Sequence, residues 1–104
     1  MHISKLDTKP PYYAVIFTAT RTSEDNGYHE MSQKMVHLAT RQPGFIGLEY
    51  VGGDSNMLIS YWESLDAIKT WKENAEHGEA QRRAREWYRT LRIRIARVER
   101  DYGY

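Results

Sequence analysis

Residues 12–20 alternate in the manner of a strand, but both alternating sets are apolar or aromatic. Tyr13, Val15, Phe17 and Ala19 form one set; Tyr12, Ala14 and Ile16 form the other. Such a strand is expected to be covered on both faces. Ser23-Glu24-Asp25-Asn26-Gly27 then supplies turn and helix-capping chemistry. Tyr28, Met31, Met35 and Leu38 recur at spacings of three and four, predicting a helix over about 27–41. Gln42-Pro43-Gly44 stops it. Residues 45–51 read as a second strand, Gly52-Gly53-Asp54-Ser55 as a hairpin-like turn, and 57–62 as a third strand.

Ser64 is placed to cap a further helix, with Asp66 in its first turn, where a carboxylate favours the helix dipole. Leu65, Ile68 and Trp71 mark this short helix, and Asn74-Ala75 marks a bend after it. The helical pattern resumes to about Arg89, with Ala80, Ala84, Trp87, Tyr88 and Leu91 on one stripe. His77 lies on the same stripe, seven residues before Ala84. Residues 91–99 close the pattern as a fourth strand. Residues 1–11, polar and ending in Pro10-Pro11, are expected to form a loose N-terminal arm, leaving 12–104 as one domain.

The order β-α-β-β-α-β is that of a ferredoxin-like α+β domain, with helices on one face of one antiparallel sheet. The other face then lacks a cover. Residues 12–20 are apolar on both sides, and Ile46, Leu48, Leu58, Trp62, Ala96 and Val98 add to an apolar surplus that no remaining segment can bury. Packing sheet against sheet in a symmetric homodimer would bury it.

Composition narrows the class. With 104 residues the chain is one domain, and its thirteen aromatic residues exceed what one small core ordinarily needs. No apolar run approaches the ~20 residues of a membrane span. The first residues lack a signal peptide's hydrophobic stretch, so a cytoplasmic location and no membrane partner are expected. Cysteine is absent, which excludes disulfides, thiolate metal sites and a cysteine nucleophile. Residues 82–101 hold eight arginines against three acids, while the rest of the chain is net acidic. These arginines alternate with apolar residues and no nucleic-acid motif accompanies them, so they read as the solvated side of regular elements, with no nucleic-acid partner.

Several short runs together resemble the antibiotic-biosynthesis monooxygenase (ABM) domain. They are Gln42-Pro43-Gly44-Phe45-Ile46-Gly47, Tyr61-Trp62-Glu63-Ser64, Ala67-Ile68, Trp71-Lys72, Glu76-His77, Ala80-Gln81, Trp87-Tyr88 and Arg97-Val98-Glu99-Arg100. The resemblance covers nearly all of the chain from Tyr12 onward. It implies a dimeric α+β barrel with a small-molecule pocket between the helices and sheet of each subunit. The family includes cofactor-independent oxygenases acting on polycyclic aromatics, so the resemblance also implies an oxygenase acting on an aromatic or quinol-like substrate.

Such chemistry needs a base, aromatic walls and a donor for a developing oxyanion. His77 is the candidate catalytic base, and Trp71, Tyr61, Tyr88 and Phe17 are the candidate substrate-binding walls. Two alternatives keep the scaffold: a non-enzymatic small-ligand or stress-related protein, and a haem-binding or haem-degrading protein. The haem-degrading branch has an Asn on the first strand, a Trp after the third and a proximal His. Trp71 matches, but residues 12–20 contain no Asn, and Gln81 stands where that His is expected. Haem is therefore disfavoured and no cofactor is expected. His2, His29 and His37 have no ligand spacing, so no metal site is expected.

Overall fold

The computed structural model describes residues 2–4, 8–53 and 55–104, with backbone alone at 2–4 and 75–77. Five strands, β1 (His2–Ser4), β2 (Tyr12–Arg21), β3 (Phe45–Val51), β4 (Ser55–Trp62) and β5 (Tyr88–Val98), form one antiparallel sheet in the order β1-β3-β4-β2-β5. Helices α1 (Tyr28–Thr40), α2 (Leu65–Glu73) and α3 (Ala75–Trp87) complete the fold. From β2 onward this is the ferredoxin-like order, with the second helix divided in two. The segment read as a loose arm contributes β1, which extends the sheet beyond β3.

Local chemistry explains the punctuation. The Ser64 hydroxyl accepts the Ala67 N–H at 3.0 Å and caps α2. Asn74 is extended (φ −61°, ψ 133°), which ends α2 and lets α3 start in a new direction. Gly44 adopts φ 83°, and a Cβ there would come within 2.6 Å of the Ala67 Cβ, so β3 can enter beside α2 only through a glycine.

The fourth strand of the domain differs from expectation. β5 starts at Tyr88, so this residue and Arg89 leave the helix. The cause is local pinning: the Trp87 carbonyl accepts the Thr22 N–H at 2.9 Å and Arg21 Nε at 3.1 Å. Tyr88 is thereby fixed opposite Arg21, next to a ladder irregularity at Thr20 and Arg21.

The registers sort the side chains by face. On the helix-facing side, Tyr13 pairs with Trp62, Val15 with Ser60 and Phe17 with Leu58. Trp62, Leu48, Phe45, Ile68, Trp71 and Ala39 form the core here, with Leu58 packed against them. Leu48, Leu58 and Trp62 therefore belong to the inner core and not to the uncovered surplus. The extension of β4 back to Ser55 and the irregularity between Phe45 and Gly47 set this register. Tyr12, Ala14, Ile16, Ile59, Tyr61, Ala96 and Val98 remain on the outer face. Among the described residues, no helix is long and apolar enough to cross a membrane.

Candidate functional site

The inner face divides into an apolar half and a polar half. In the apolar half Trp71, on α2, stacks on Trp62 with ring centroids 6.1 Å apart, and Phe45 meets Trp62 edge-on at 5.5 Å. Trp71 is a packing residue here, buried among Ala39, Leu48 and Ile68.

The polar half lies where the later residues of β2 meet the first turn of α1. Asn56, on β4 opposite Ala19, is 4% exposed and is the only buried polar side chain among the described residues. Its amide nitrogen donates to Tyr28 Oη at 3.1 Å. Its carbonyl oxygen accepts from the Gly53 N–H at 3.2 Å and the Tyr50 hydroxyl at 3.4 Å. The Tyr88 hydroxyl donates to Tyr28 Oη at 3.1 Å. Phenols from α1 and β3 thus bond one buried amide directly, and the phenol from β5 joins them through Tyr28.

Aromatic contacts enclose the group. Tyr88 meets Phe17 edge-on at 5.3 Å and Tyr28 at 5.6 Å, and Tyr28 meets Trp87 at 5.7 Å. The Arg21 guanidinium lies 3.5 Å from the centre of the Tyr28 ring. Arg83 lies over Trp87, and both donate to the Asn26 carbonyl, at 3.0 Å and 2.9 Å, clamping the loop before α1 onto α3.

Burial, and then the hydrogen bond with Tyr28, pushes the Tyr88 phenol above its ordinary range, against a smaller opposing pull from Arg21. Burial also raises Tyr50, with the neighbouring Tyr28 next in weight. These two phenols stay protonated at neutral pH and act as hydrogen-bond donors, not bases.

Two concavities border this half. A depression of about 280 Å³ between α3 and β5 is lined by Ala84, Arg85, Tyr88, Arg89 and Leu91. A groove of about 600 Å³ at the end of the sheet is lined by residues that include Thr18, Thr20, Met57, Arg92, Asn56 and Leu91. Trp71 borders neither.

The residues chosen from sequence therefore separate. Phe17 and Tyr88 are in contact and join the polar cluster. Trp71 lies apart from them in the apolar core. Tyr61 is on the outer face, donating to Glu49 Oε1 at 3.0 Å and meeting Tyr12 edge-on at 5.8 Å. His77 falls in α3, and its side chain lies outside the described residues. Tyr28, Tyr50, Arg21 and Asn56 were missed. The signal for Asn56 was present: the inward alternation Trp62, Ser60, Leu58, carried one step further, reaches it. Among the described residues no group of three or more His, Cys, Asp or Glu could hold a metal ion.

The sequence profile of a family described as antibiotic biosynthesis monooxygenase matches residues 11–83. The uncharacterized protein YqjZ of Bacillus subtilis is 43% identical over 96 residues, covering 89% of this chain and 84% of that protein. SnoaB of Streptomyces nogalater, a cofactor-independent oxygenase, superposes with a TM-score of 0.79 at 13% identity, over 91% of this chain and all of its own. A putative antibiotic biosynthesis monooxygenase from Nitrosomonas europaea superposes with a TM-score of 0.72 at 12% identity, over 88% of this chain and 92% of that one. At these identities the two solved structures establish the shared fold.

Proposed function

This chain belongs to the antibiotic biosynthesis monooxygenase family, and from that premise we propose that it is a small-molecule oxygenase working without a cofactor on an aromatic or quinol-like substrate. The observation that supports this reading is the phenol cluster of Tyr28, Tyr50 and Tyr88 around Asn56, beside the depression that Tyr88 lines. A substrate carbonyl entering there meets the Tyr88 phenol, which would turn its donor from Tyr28, and the rim of Arg85 and Arg89. Both favour the enolate over the ketone.

The reaction balances with dioxygen alone. A base removes a proton from an activated ring methylene, and the carbanion passes its electrons to O₂. The hydroperoxide that forms then loses water to leave a carbonyl. One oxygen atom stays in the product and the other leaves as water, so no external reductant is required. His77 is the proposed base, and Phe17 and Tyr88 are the proposed walls. Trp71 and Tyr61 enter the proposal only as supports of the layers on either side. With an anthrone as substrate, oxygen uptake should match substrate loss mole for mole, and His77→Ala should abolish both. Full activity in that variant would remove His77 from the mechanism.

One observation favours the second reading, a binding protein on the same scaffold. The amide and phenols of the cluster already satisfy one another, as a purely structural network would. A ligand that binds at Tyr88 without turnover under air would support it. Haem ligation would require a shifted histidine, as position 81 is Gln, and a haemin titration without a Soret shift would remove that possibility.

We further propose that the working unit is a homodimer. The helix-side core covers the inner face at β3, β4 and β2 but leaves Leu91, Ile93 and Ile95 of β5 exposed, and on the outer face Met57 (44% exposed) and Val51 (65% exposed) lie open beside Ile16 and Ile59.

A further inference from the structure

The phenol cluster contains a chain of hydroxyls whose direction is free to change. Tyr28 is the sole hydrogen-bond partner of the Tyr88 hydroxyl among the described residues. Tyr28 is also hydrogen-bonded to Tyr50, and the Tyr50 hydroxyl donates to the Asn56 carbonyl at 3.4 Å. A hydroxyl has one proton and two acceptor positions. Asn56 Nδ2 and Tyr88 both donate to Tyr28 Oη, which leaves its proton for Tyr50. The chain at rest therefore runs from Tyr88 through Tyr28 and Tyr50 to Asn56.

A ligand oxygen arriving at Tyr88 would reverse it. Tyr88 then donates to the ligand, Tyr28 to Tyr88, and Tyr50 to Tyr28. Three hydroxyl protons turn while the rings stay in place. Asn56 gives up one long contact and remains satisfied. Its carbonyl keeps the Gly53 N–H at 3.2 Å, and its amide nitrogen still donates to Tyr28. The reversal strands no buried polar group, the loss that would otherwise hold the Tyr88 donor back from a ligand.

A cation lies over the middle of this chain. The Arg21 guanidinium sits 3.5 Å from the centre of the Tyr28 ring. Its Nε donates to the Trp87 carbonyl at 3.1 Å and its Nη2 to the Glu24 carbonyl at 3.2 Å, which fix it there. The acid that faces it, Asp25, approaches to 3.4 Å with a side chain 77% exposed, so water screens that pair. Arg21 also acts against the burial that keeps Tyr88 and Tyr50 neutral. It therefore attracts the electron density that a ligand's charge pushes along the hydroxyls.

We infer that Tyr28 and Tyr50 are positioning residues for Tyr88: their hydroxyls reverse when an anionic ligand oxygen meets Tyr88, and the charge is shared with Tyr28 beneath Arg21. This rests on the Tyr88 site proposed above and names the groups that act through it. Donors in series polarise one another, so Tyr88 backed by Tyr28 holds an oxyanion more tightly than a lone phenol does.

The probe is para-nitrophenolate, whose visible band reports the hydrogen bonding of its charged oxygen. Titrations would compare the unaltered chain with Tyr88→Phe, Tyr28→Phe and the two together. Tyr88→Phe should weaken binding about tenfold or more, as a lost bond to a charged oxygen. Tyr28→Phe should weaken it about threefold and shrink the band shift of the bound probe. In the Tyr88→Phe background it should change nothing further, because Tyr28 acts through Tyr88. Tyr50→Phe leaves the Asn56 amide paired with Gly53 and Tyr28, so it carries the test even if Tyr28→Phe fails to fold. Its loss should likewise vanish in the Tyr88→Phe background. Losses that simply add, substitutions at Tyr28 and Tyr50 without effect, or a probe that does not bind would each overturn the chain. Oxygen uptake with anthrone by the unaltered chain judges the oxygenase reading separately. Coupled losses without uptake would support the chain and overturn that reading; uptake with additive losses would do the reverse.

Discussion

Asn56 shows how one buried amide ties distant parts of the chain together. It links the hairpin at Gly53, β3 through Tyr50 and α1 through Tyr28, and Tyr28 passes the connection to Tyr88 on β5. Asn56→Ala would strand the Gly53 N–H and remove the donor to Tyr28. It should cost about 1–3 kcal/mol of stability for each group left unsatisfied, read from urea unfolding. Tyr88→Phe, which leaves the amide paired, should cost about 1 kcal/mol. The outer face supplies a test by pH. Burial, followed by a hydrogen bond to a carboxylate, pushes Tyr12 and Tyr61 up to about 12, with Asp101 and Glu49 as the respective partners. The unfolded chain releases these protons near pH 10. Their contribution is therefore fully present below about pH 10 and is lost as the pH rises towards about 12. Stability should fall across that window, and Tyr12→Phe and Tyr61→Phe should each flatten the fall. A pH profile unchanged by both substitutions would contradict the assignment. At this scale the sequence was informative about residue type more than about company. Phe17 and Tyr88 could be chosen as aromatic walls, but Asn56 fell between the turn at 52–55 and the strand at 57–62 and was assigned to neither.

Elements were easier to read, because periodicity reports the burial of a whole segment. The strand at 45–51 has the predicted bounds, the helical break falls at Asn74, and Ser64 caps as its chemistry suggests. The misplaced boundary, at Tyr88, depended on Trp87 being held by Thr22 and Arg21, residues more than sixty positions away, which no local pattern reports. β1 escaped notice for a related reason: three residues carry too little pattern to announce a strand, and pairing with β3 is what defines it. Glycine positions give a prediction of opposite signs. Gly44→Ala combines a left-handed φ of 83° with an approach of 2.6 Å to the Ala67 Cβ. It should destabilise by about 2–4 kcal/mol, the sum of the backbone and overlap costs. Gly78→Ala, inside α3, would among the described residues meet only Arg82 Nη1 at 3.7 Å and should stabilise by about 0.5–1 kcal/mol. Thermal melts of both variants decide it, and a shift in the same direction for both would mean that the α2–β3 approach is softer than its geometry.

At the scale of the whole molecule, the excess of aromatic residues and the uneven charge have related explanations. Part of the aromatic excess lies in the polar half of the inner face, where Tyr28, Tyr50 and Tyr88 serve one amide. Another part, Tyr12 and Tyr61, lies on the outer face with Glu49 and Asp101. The arginines of β5 alternate as expected of a solvated margin, yet Arg92 and Arg94 share the outer face with Ile16 and Ile59. A sequence pattern could assign each of these residues to a side of its strand. It could not show which side the helices cover, because Trp62, Leu48 and Leu58 were all apolar enough for either. If the outer face is buried only by a second copy, folding and association are linked by mass action. Each tenfold increase in protein concentration should then add about 1.4 kcal/mol of apparent stability per dimer. The midpoint of thermal unfolding should climb steadily across a concentration series, and the climb should vanish for Ile16→Asp, which places a charge at the centre of the aliphatic row. A midpoint fixed across the series for the unaltered chain would mean that the domain folds alone with that face in water.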